Sequence, residues 1–312
     1  MSNEHKILRD LIIGMRRTYK DGENMMAFAR QQCNSDKSVN ETIATLIAYD
    51  IQSGMYINNA MENPEFNRKW CEQLGEIIKF YSDSNSLILE VGCGEATTLS
   101  GVLEYIGDNY KKAYGFDISW SRLYKAQEWQ EKYTNKADLF VSDLFEIPFE
   151  DNSIDIVYTS HSLEPNGGRE EQAIKELLRV SRNKVVLVEP SYEFASPKAQ
   201  KRMKSHGYVC GLKSTAQKLG ATVIEHKLLD VSANILNPSG LIILKKNNSS
   251  KDKLQRNNSK NIWRCPLTNT YLVQHKDVYV SPETGIVYPV LRGIPMLRSQ
   301  HAIVASKIIN GI

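Results

Sequence analysis

From Leu87 onward the chain alternates two kinds of segment, and this alternation limits its possible folds more than any other feature. Short apolar runs stand at Leu87–Val91, Ala113–Phe116, Asp138–Val141, Ile154–Tyr158, Val185–Val188, Ala221–Ile224 and Leu241–Leu244. Between them lie amphipathic stretches, such as Leu99, Val102, Leu103 and Ile106, or Ile174, Leu177 and Leu178. Apolar runs of four or five residues read as buried strands, and apolar residues three or four apart read as helices. Regular alternation of the two predicts an α/β fold with a Rossmann-like, doubly wound, mostly parallel sheet covered by helices on both faces. The short connection through Asn237-Pro238 leaves room for the last strand to run antiparallel.

The flanks read differently. Residues 1–82 are expected to be a helical extension or lid. Ile7, Leu8, Leu11, Ile12 and Met15 form one apolar stripe, and Ile43, Leu46, Ile47 and Ile51 suggest a second helix. Pro64 opens a third, carrying Phe66, Trp70, Leu74, Ile77, Ile78 and Tyr81. Residues 83–246 hold the alternating core. Residues 247–261, polar and basic, read as an exposed linker rather than a nucleic-acid patch. Residues 262–312 read as a small β-rich module with a turn at Ser281–Gly285 and a closing helix over Ala302–Ile309.

The first strand of the core runs directly into a glycine loop, Glu90-Val91-Gly92-Cys93-Gly94-Glu95-Ala96. Glycines at the carboxyl end of this strand let a ligand approach the backbone closely. A dinucleotide fingerprint requires a third glycine, where this chain has Thr97. Glu90 and Glu95 suit a cationic ligand better than a pyrophosphate, which favours a pocket for S-adenosylmethionine (SAM), whose sulfonium and amino groups are positive.

In this context the segment resembles the first motif of the class I SAM-dependent methyltransferases, and further landmarks follow in order over residues 86–246. The resemblance implies that Glu90, Gly92, Cys93 and Gly94 form the cofactor loop. It implies that Asp117, with Ile118 beside it at the end of the second strand, takes the ribose hydroxyls. It also implies that Asp143 and Leu144 meet the adenine, and that Ser160 ends the fourth strand at the active site. Asp117 lies 23 positions after Gly94, close to the ~20 of a ribose-binding acid in such folds. Taken singly, Asp117 also reads as a helix N-cap and Glu90 as a solvated strand-end acid. Ala96 departs from the family, many of whose members have glycine there.

Catalytic groups of such sheets emerge at the carboxyl ends of the strands. The loop Thr159–Gly168 and the segment Glu189–Glu193 are dense in polar side chains. Methyl transfer is an in-line displacement that requires the acceptor atom about 3–3.5 Å from the methyl carbon, and a hydroxyl acceptor also requires a base. His161 is the first candidate for that base and Glu164 the second. A loop histidine bonded only to backbone is an equal alternative for His161. Asn166, Glu189, Tyr192 and Glu193 are candidates for the acceptor pocket. Tyr49, Asp50 and Tyr56 are lid candidates, with simple helix packing as the alternative.

The C-terminal segment, with Cys265-Pro266, Tyr288-Pro289 and Gly293-Ile294-Pro295-Met296-Leu297, resembles the small zinc-ribbon-derived activators of methyltransferases acting on tRNA, ribosomal RNA and release factors. It has Cys265 alone where a zinc site needs four soft ligands, so no metal is expected. The module is expected to cover either a sheet edge or the acceptor entrance. Five scattered cysteines, no signal-like start and no long apolar run point to a reducing cytoplasm and no membrane span. With 39 basic against 36 acidic residues, the net charge of +3 disfavours wholesale nucleic-acid binding. The leading expectation is a SAM-dependent methyltransferase acting on a small-molecule or glycan-precursor acceptor, at oxygen. The alternatives are methylation of RNA or a translation factor, and a non-catalytic SAM-binding regulator or scaffold.

Overall fold

The computed structural model describes residues 3–23, 25–35, 41–247 and 261–308. Most of the polar segment assigned to a linker lies outside these residues. Five helices precede the sheet: α1 (Asn3–Lys20), α2 (Met25–Ser35), α3 (Glu41–Ile51), α4 (Met55–Glu62) and α5 (Pro64–Tyr81). Pro64 sits in the first turn of α5, where its missing N–H leaves no gap in the helix. The apolar face of α5 buries Trp70, Cys71, Leu74 and Ile78.

The core strands are β1 (Leu87–Val91), β2 (Lys112–Asp117), β3 (Asp138–Val141), β4 (Ile154–Ser160), β5 (Ser181–Pro190), β6 (Thr222–Leu228) and β7 (Ser239–Lys245). They form one sheet in the order β3-β2-β1-β4-β5-β7-β6. Pairing is parallel from β3 to β5, and β7 runs antiparallel to both β5 and β6. The connection through Asn237-Pro238 is therefore where the chain direction reverses. Between the strands run α6 (Thr97–Ile106), α7 (Trp120–Gln130), α8 (Glu170–Val180), α9 (Pro197–Ser205) and α10 (Leu212–Lys218).

Side-chain alternation along each strand divides the core into two layers. Leu89, Val91, Val185, Leu187, Ile242 and Leu244 pack on one face with α8 and α10. Ile88, Val186, Val188, Leu241 and Ile243 pack on the other with α5 and α6. Apolar residues of both parities explain why these strands read as continuous runs.

The C-terminal residues form a second, antiparallel sheet of β8 (Val273–His275), β9 (Val278–Val280), β10 (Ile286–Leu291), β11 (Ile294–Pro295) and β12 (Ile303–Val304). The helix expected over Ala302–Ile309 is not formed in its described part. Ile303 and Val304 pair instead with Val287 and Ile286, after a short 3-10 turn at Ser299–His301. Two β-branched residues beside an open strand edge gain ladder hydrogen bonds that an isolated helical turn lacks.

This small sheet docks on the β3 edge of the large one. Met296 bridges Val141 in parallel, and Leu297 N–H donates to Val141 O at 2.8 Å. Trp263 inserts its ring among Tyr114, Phe140, Phe149 and Tyr279, with centroids 4.6–5.8 Å apart. The edge of β3, otherwise a row of open backbone groups, is thereby covered. Trp263→Ala is expected to lower stability by about 3 kcal/mol, the usual order for a large-to-small aromatic deletion. Urea unfolding should show one transition shifted as a whole, whereas an unchanged main transition would mean that the two sheets are independent.

Candidate active site

A cavity of about 500 Å³ opens at the carboxyl ends of β1, β2, β3 and β4, bordered by residues of α3, α4 and α5. Its floor is the glycine loop. Gly92 and Gly94 adopt φ of +66° and +55°, the left-handed region that favours glycine. A Cβ on Gly92 would lie 2.4 Å from the Ser162 Cβ, and one on Gly94 3.3 Å from the Tyr56 ring. Neither position accepts a side chain without displacing a wall of the cavity. Ala96 is also left-handed, at φ +56°, a conformation that glycine adopts more readily than alanine.

Glu90, Gly92, Cys93, Gly94, Asp117, Ile118, Asp143, Leu144 and Ser160 all line this one cavity. These are the nine residues that the family resemblance assigns to the cofactor. Glu90 is buried, and Tyr158 Oη donates to its Oε2 at 2.8 Å. Burial pushes its carboxyl up to about 8. Asp117 accepts from Gly94 N–H at 3.0 Å and from Ser119 N–H at 2.9 Å, so it braces the loop. Burial raises its pKa, while Arg122 and these amides oppose the rise. Asp143 accepts from Phe145 N–H at 3.0 Å.

Glu95 does not line the cavity. Its two oxygens accept from Gly54 N–H at 2.8 Å and Ile57 N–H at 2.9 Å, capping the start of α4. Sequence reasoning placed its charge in the pocket because α4 was not recognised as a separate helix whose first turn needed an acceptor.

The other end of the cavity is built on the turn after β4. His161 has φ +58°, unusual for a non-glycine residue. Its N–H still donates to Val188 O at 2.8 Å, so the backbone stays anchored to β5 as the chain turns. The imidazole lines the cavity. Its Nδ1 is 2.8 Å from Glu164 Oε2, and its Nε2 is 2.8 Å from Ser239 Oγ. Burial lowers the His161 pKa, but the Glu164 bond and charge, with Glu189 behind, raise it to a net position above normal. Burial raises Glu164, and His161 with Tyr208 and Asn237 brings it below normal overall.

Four residues assigned to the acceptor or lid do not line the cavity. Glu189 accepts from the N–H groups of Ser162, Leu163 and Glu164 at 3.0–3.1 Å, so it shapes the turn after β4 from behind. Burial pushes its pKa up to about 7. Asp50 accepts from Ser119 Oγ at 2.7 Å and fastens α3 to the start of α7. Tyr192 packs on the small cluster of Ala195, Ala199 and Met203. Glu193 faces a separate small recess with Cys210 and Gly211. Tyr49, Tyr56 and Asn166 do line the cavity. The two tyrosine rings flank the Arg122 guanidinium at 5.0 and 4.5 Å.

Phe66, Asn67, Trp70, Asn234, Asn237 and Ser239 also line it, and none was singled out from sequence. Phe66 and Trp70 read there as a helix stripe, with Asn67 on the same helix, while Asn234 and Asn237 lie in a segment that reads as a plain connection. Among the described residues, no group of three or more His, Cys, Asp and Glu is placed to hold a metal ion. No described helix is long and apolar enough to cross a membrane.

These features fit SAM: a glycine cradle, a buried acid for a cationic group, and acids at the ends of β2 and β3. A positive group arriving beside Glu90 favours its ionised form, so binding should release a proton wherever free Glu90 is still protonated. With its carboxyl at about 8, release should approach one proton per ligand at pH 7 and nearly vanish by about pH 9. Calorimetry in two buffers of different ionisation heat reads this directly, and Glu90→Gln should abolish it.

Residues 88–184 match the family described as a methyltransferase domain. No curated protein matches the chain. Among solved structures, the chain is similar to magnesium protoporphyrin IX methyltransferase of Synechocystis, with bound SAH, at 13% identity and a TM-score of 0.48, covering 64% of this chain and 98% of that one. A SAM-dependent methyltransferase of Methanosarcina mazei is similar at 19% identity and a TM-score of 0.46, covering 55% and 96%. The family match falls on the strands that carry the glycine loop, Asp117, Asp143 and His161, and residues 88–184 of the chain are thus a methyltransferase domain.

Proposed function

We propose that the enzyme methylates a hydroxyl group of a neutral, polar small molecule, such as a glycan precursor. The observation that carries this reading is the Glu164–His161 pair in the cavity that also holds the glycine loop. SAM supplies the methyl group when bound. The chain must then orient the acceptor and remove its proton.

With Glu164 ionised and accepting from Nδ1–H, the free lone pair of His161 is on Nε2, where Ser239 Oγ–H donates to it. The tautomer follows from this network. An acceptor hydroxyl that replaces or adjoins the Ser239 hydroxyl meets a base whose orientation Glu164 already fixes. Ser232 Oγ–H donates in turn to Ser239 Oγ at 3.4 Å, which leaves the Ser239 hydroxyl a second partner when displaced.

The lining supports a neutral polyol rather than an anion. Trp70 stacks with Phe66 at 6.4 Å and meets His161 at 5.8 Å, giving an apolar wall beside the base. Asn67, Asn166, Asn234 and Asn237 supply amides around it. The Asn237 Oδ1 is buried without a hydrogen-bond partner, while its amide N–H groups face Glu164 at 3.3 Å. A second hydroxyl on the acceptor would satisfy that oxygen. Arg169, a cation at this end, lies over the Phe145 ring at 3.5 Å with its Nε on Gln172.

A screen of neutral hydroxylated acceptors with labelled SAM tests the reading, and labelling only of amines, bases or proteins would overturn it. On the acceptor found, His161→Gln should lower kcat by about 10²–10⁴, the usual contribution of a general base. A base works only when neutral, so the rate should fall as pH drops through the His161 pKa, above pH 6.5 in this setting. Glu164→Gln removes the group that raises that pKa, so the falling limb should move to lower pH while kcat also drops.

A further inference from the structure

The pocket acid at the end of β3 is held from outside the methyltransferase domain. Asp143 lines the cavity with Ser142, Leu144 and Phe145. Its Oδ1 accepts from Phe145 N–H at 3.0 Å, and its Oδ2 lies 3.8 Å from Nη2 of Arg298. Arg298 follows directly on the segment that pairs with Val141, so its position is fixed by the same backbone contact that covers the β3 edge. It is 5% exposed, and its Nε has no hydrogen-bond partner. The next residue, Ser299, donates its hydroxyl to Glu146 Oε2 at the far end of the same loop.

A guanidinium this deeply buried remains charged and requires a compensating anion. The carboxylates that face it are Asp143 and Glu146. Asp143 is thus held from both sides, by a backbone amide of its own loop and by a cation from the C-terminal sheet. An amide bonded to one oxygen and a buried positive charge 3.8 Å from the other favour one orientation of the carboxylate, which a short loop on its own does not ensure.

We propose that Arg298 is a positioning residue for cofactor binding, orienting the Asp143 carboxylate toward the ligand from across the interface between the two sheets. Arg298 itself does not line the cavity. Its effect must therefore pass through Asp143, and this makes the idea testable by coupling rather than by simple loss.

The test measures S-adenosylhomocysteine affinity by calorimetry for wild type, Arg298→Met, Asp143→Asn and the double variant. Arg298→Met should weaken binding about tenfold in the wild-type background and less than twofold when Asp143 is already Asn. Equal weakening in both backgrounds would show that Arg298 acts only through general structure, and unchanged affinity would show that it does not act at all; either overturns the proposal. If Arg298→Met does not fold, Arg298→Lys is read in the same cycle. It keeps the charge but loses the planar fork, so a coupled loss of about threefold is expected and an uncoupled or absent one is contrary. Failure of wild type to bind the ligand would instead strike the cofactor assignment on which this inference rests.

Discussion

Glu95 is fully buried, and a carboxylate removed from water must be matched by charge and hydrogen bonds or it destabilises the fold. Here the match comes from the first turn of α4 and from Arg122, whose Nη1 is 3.7 Å away. Arg122 in turn donates from Nε to Tyr49 O at 2.9 Å and lies between the rings of Tyr49 and Tyr56. One residue of the glycine loop thus fixes α4, and α4 fixes the wall that faces the loop. The contact has structural reach because α1, α2 and α3 form their own small core around Met15, Met25 and Ala48, separate from the two core layers of the sheet. Without the polar fastening by Glu95, Arg122 and Asp50, that bundle has little apolar surface in common with the sheet.

The buried acids of the cavity region show how environment divides their tasks. Glu90, Glu164 and Glu189 are chemically the same group. Glu90 has Tyr158 beside it and is held near 8 by burial, so a cation arriving beside it would favour its ionised form. Glu189 accepts three backbone amides and still sits near 7, because burial outweighs those bonds. Glu164, facing His161, lies below its ordinary value. A carboxylate that orients a histidine must be ionised in order to hold the Nδ1 proton, whereas one that waits for a ligand need not be.

Strand positions, the order of landmarks and the nine residues that share the cavity were legible in the sequence, because each is written locally: an apolar run, a glycine pair, an acid at a strand end. What was not legible depends on contacts between distant segments. Nothing near Glu189 indicates that its carboxylate turns back to cap the amides of residues 162–164. Nothing near Asn237 or Ser239 indicates that the start of the last strand meets His161, 78 positions earlier. The closing helix failed for a related reason. Ile303 and Val304 form a strand because an edge of β10 is there to receive them, and that edge comes from residues 286–291.

The way the C-terminal sheet attaches gives the β3 edge a second purpose. A Rossmann-like sheet ends on β3 with unpaired backbone, and the loop that follows that strand carries a pocket residue. A loop beyond an uncovered edge strand is held at one side only and is among the more easily opened parts of a fold. Pairing Met296 and Leu297 with Val141 removes the edge, while the Trp263 ring fills the apolar layer beneath it. Arg264 closes the polar rim, with its Nη2 2.6 Å from Glu150 Oε1. Both ends of the segment 141–150 are thereby tied to the C-terminal residues that flank the small sheet. The loop between them, with Asp143 and Leu144, is held at both ends by residues more than a hundred positions away, which is why its anchoring could not be read from its own sequence.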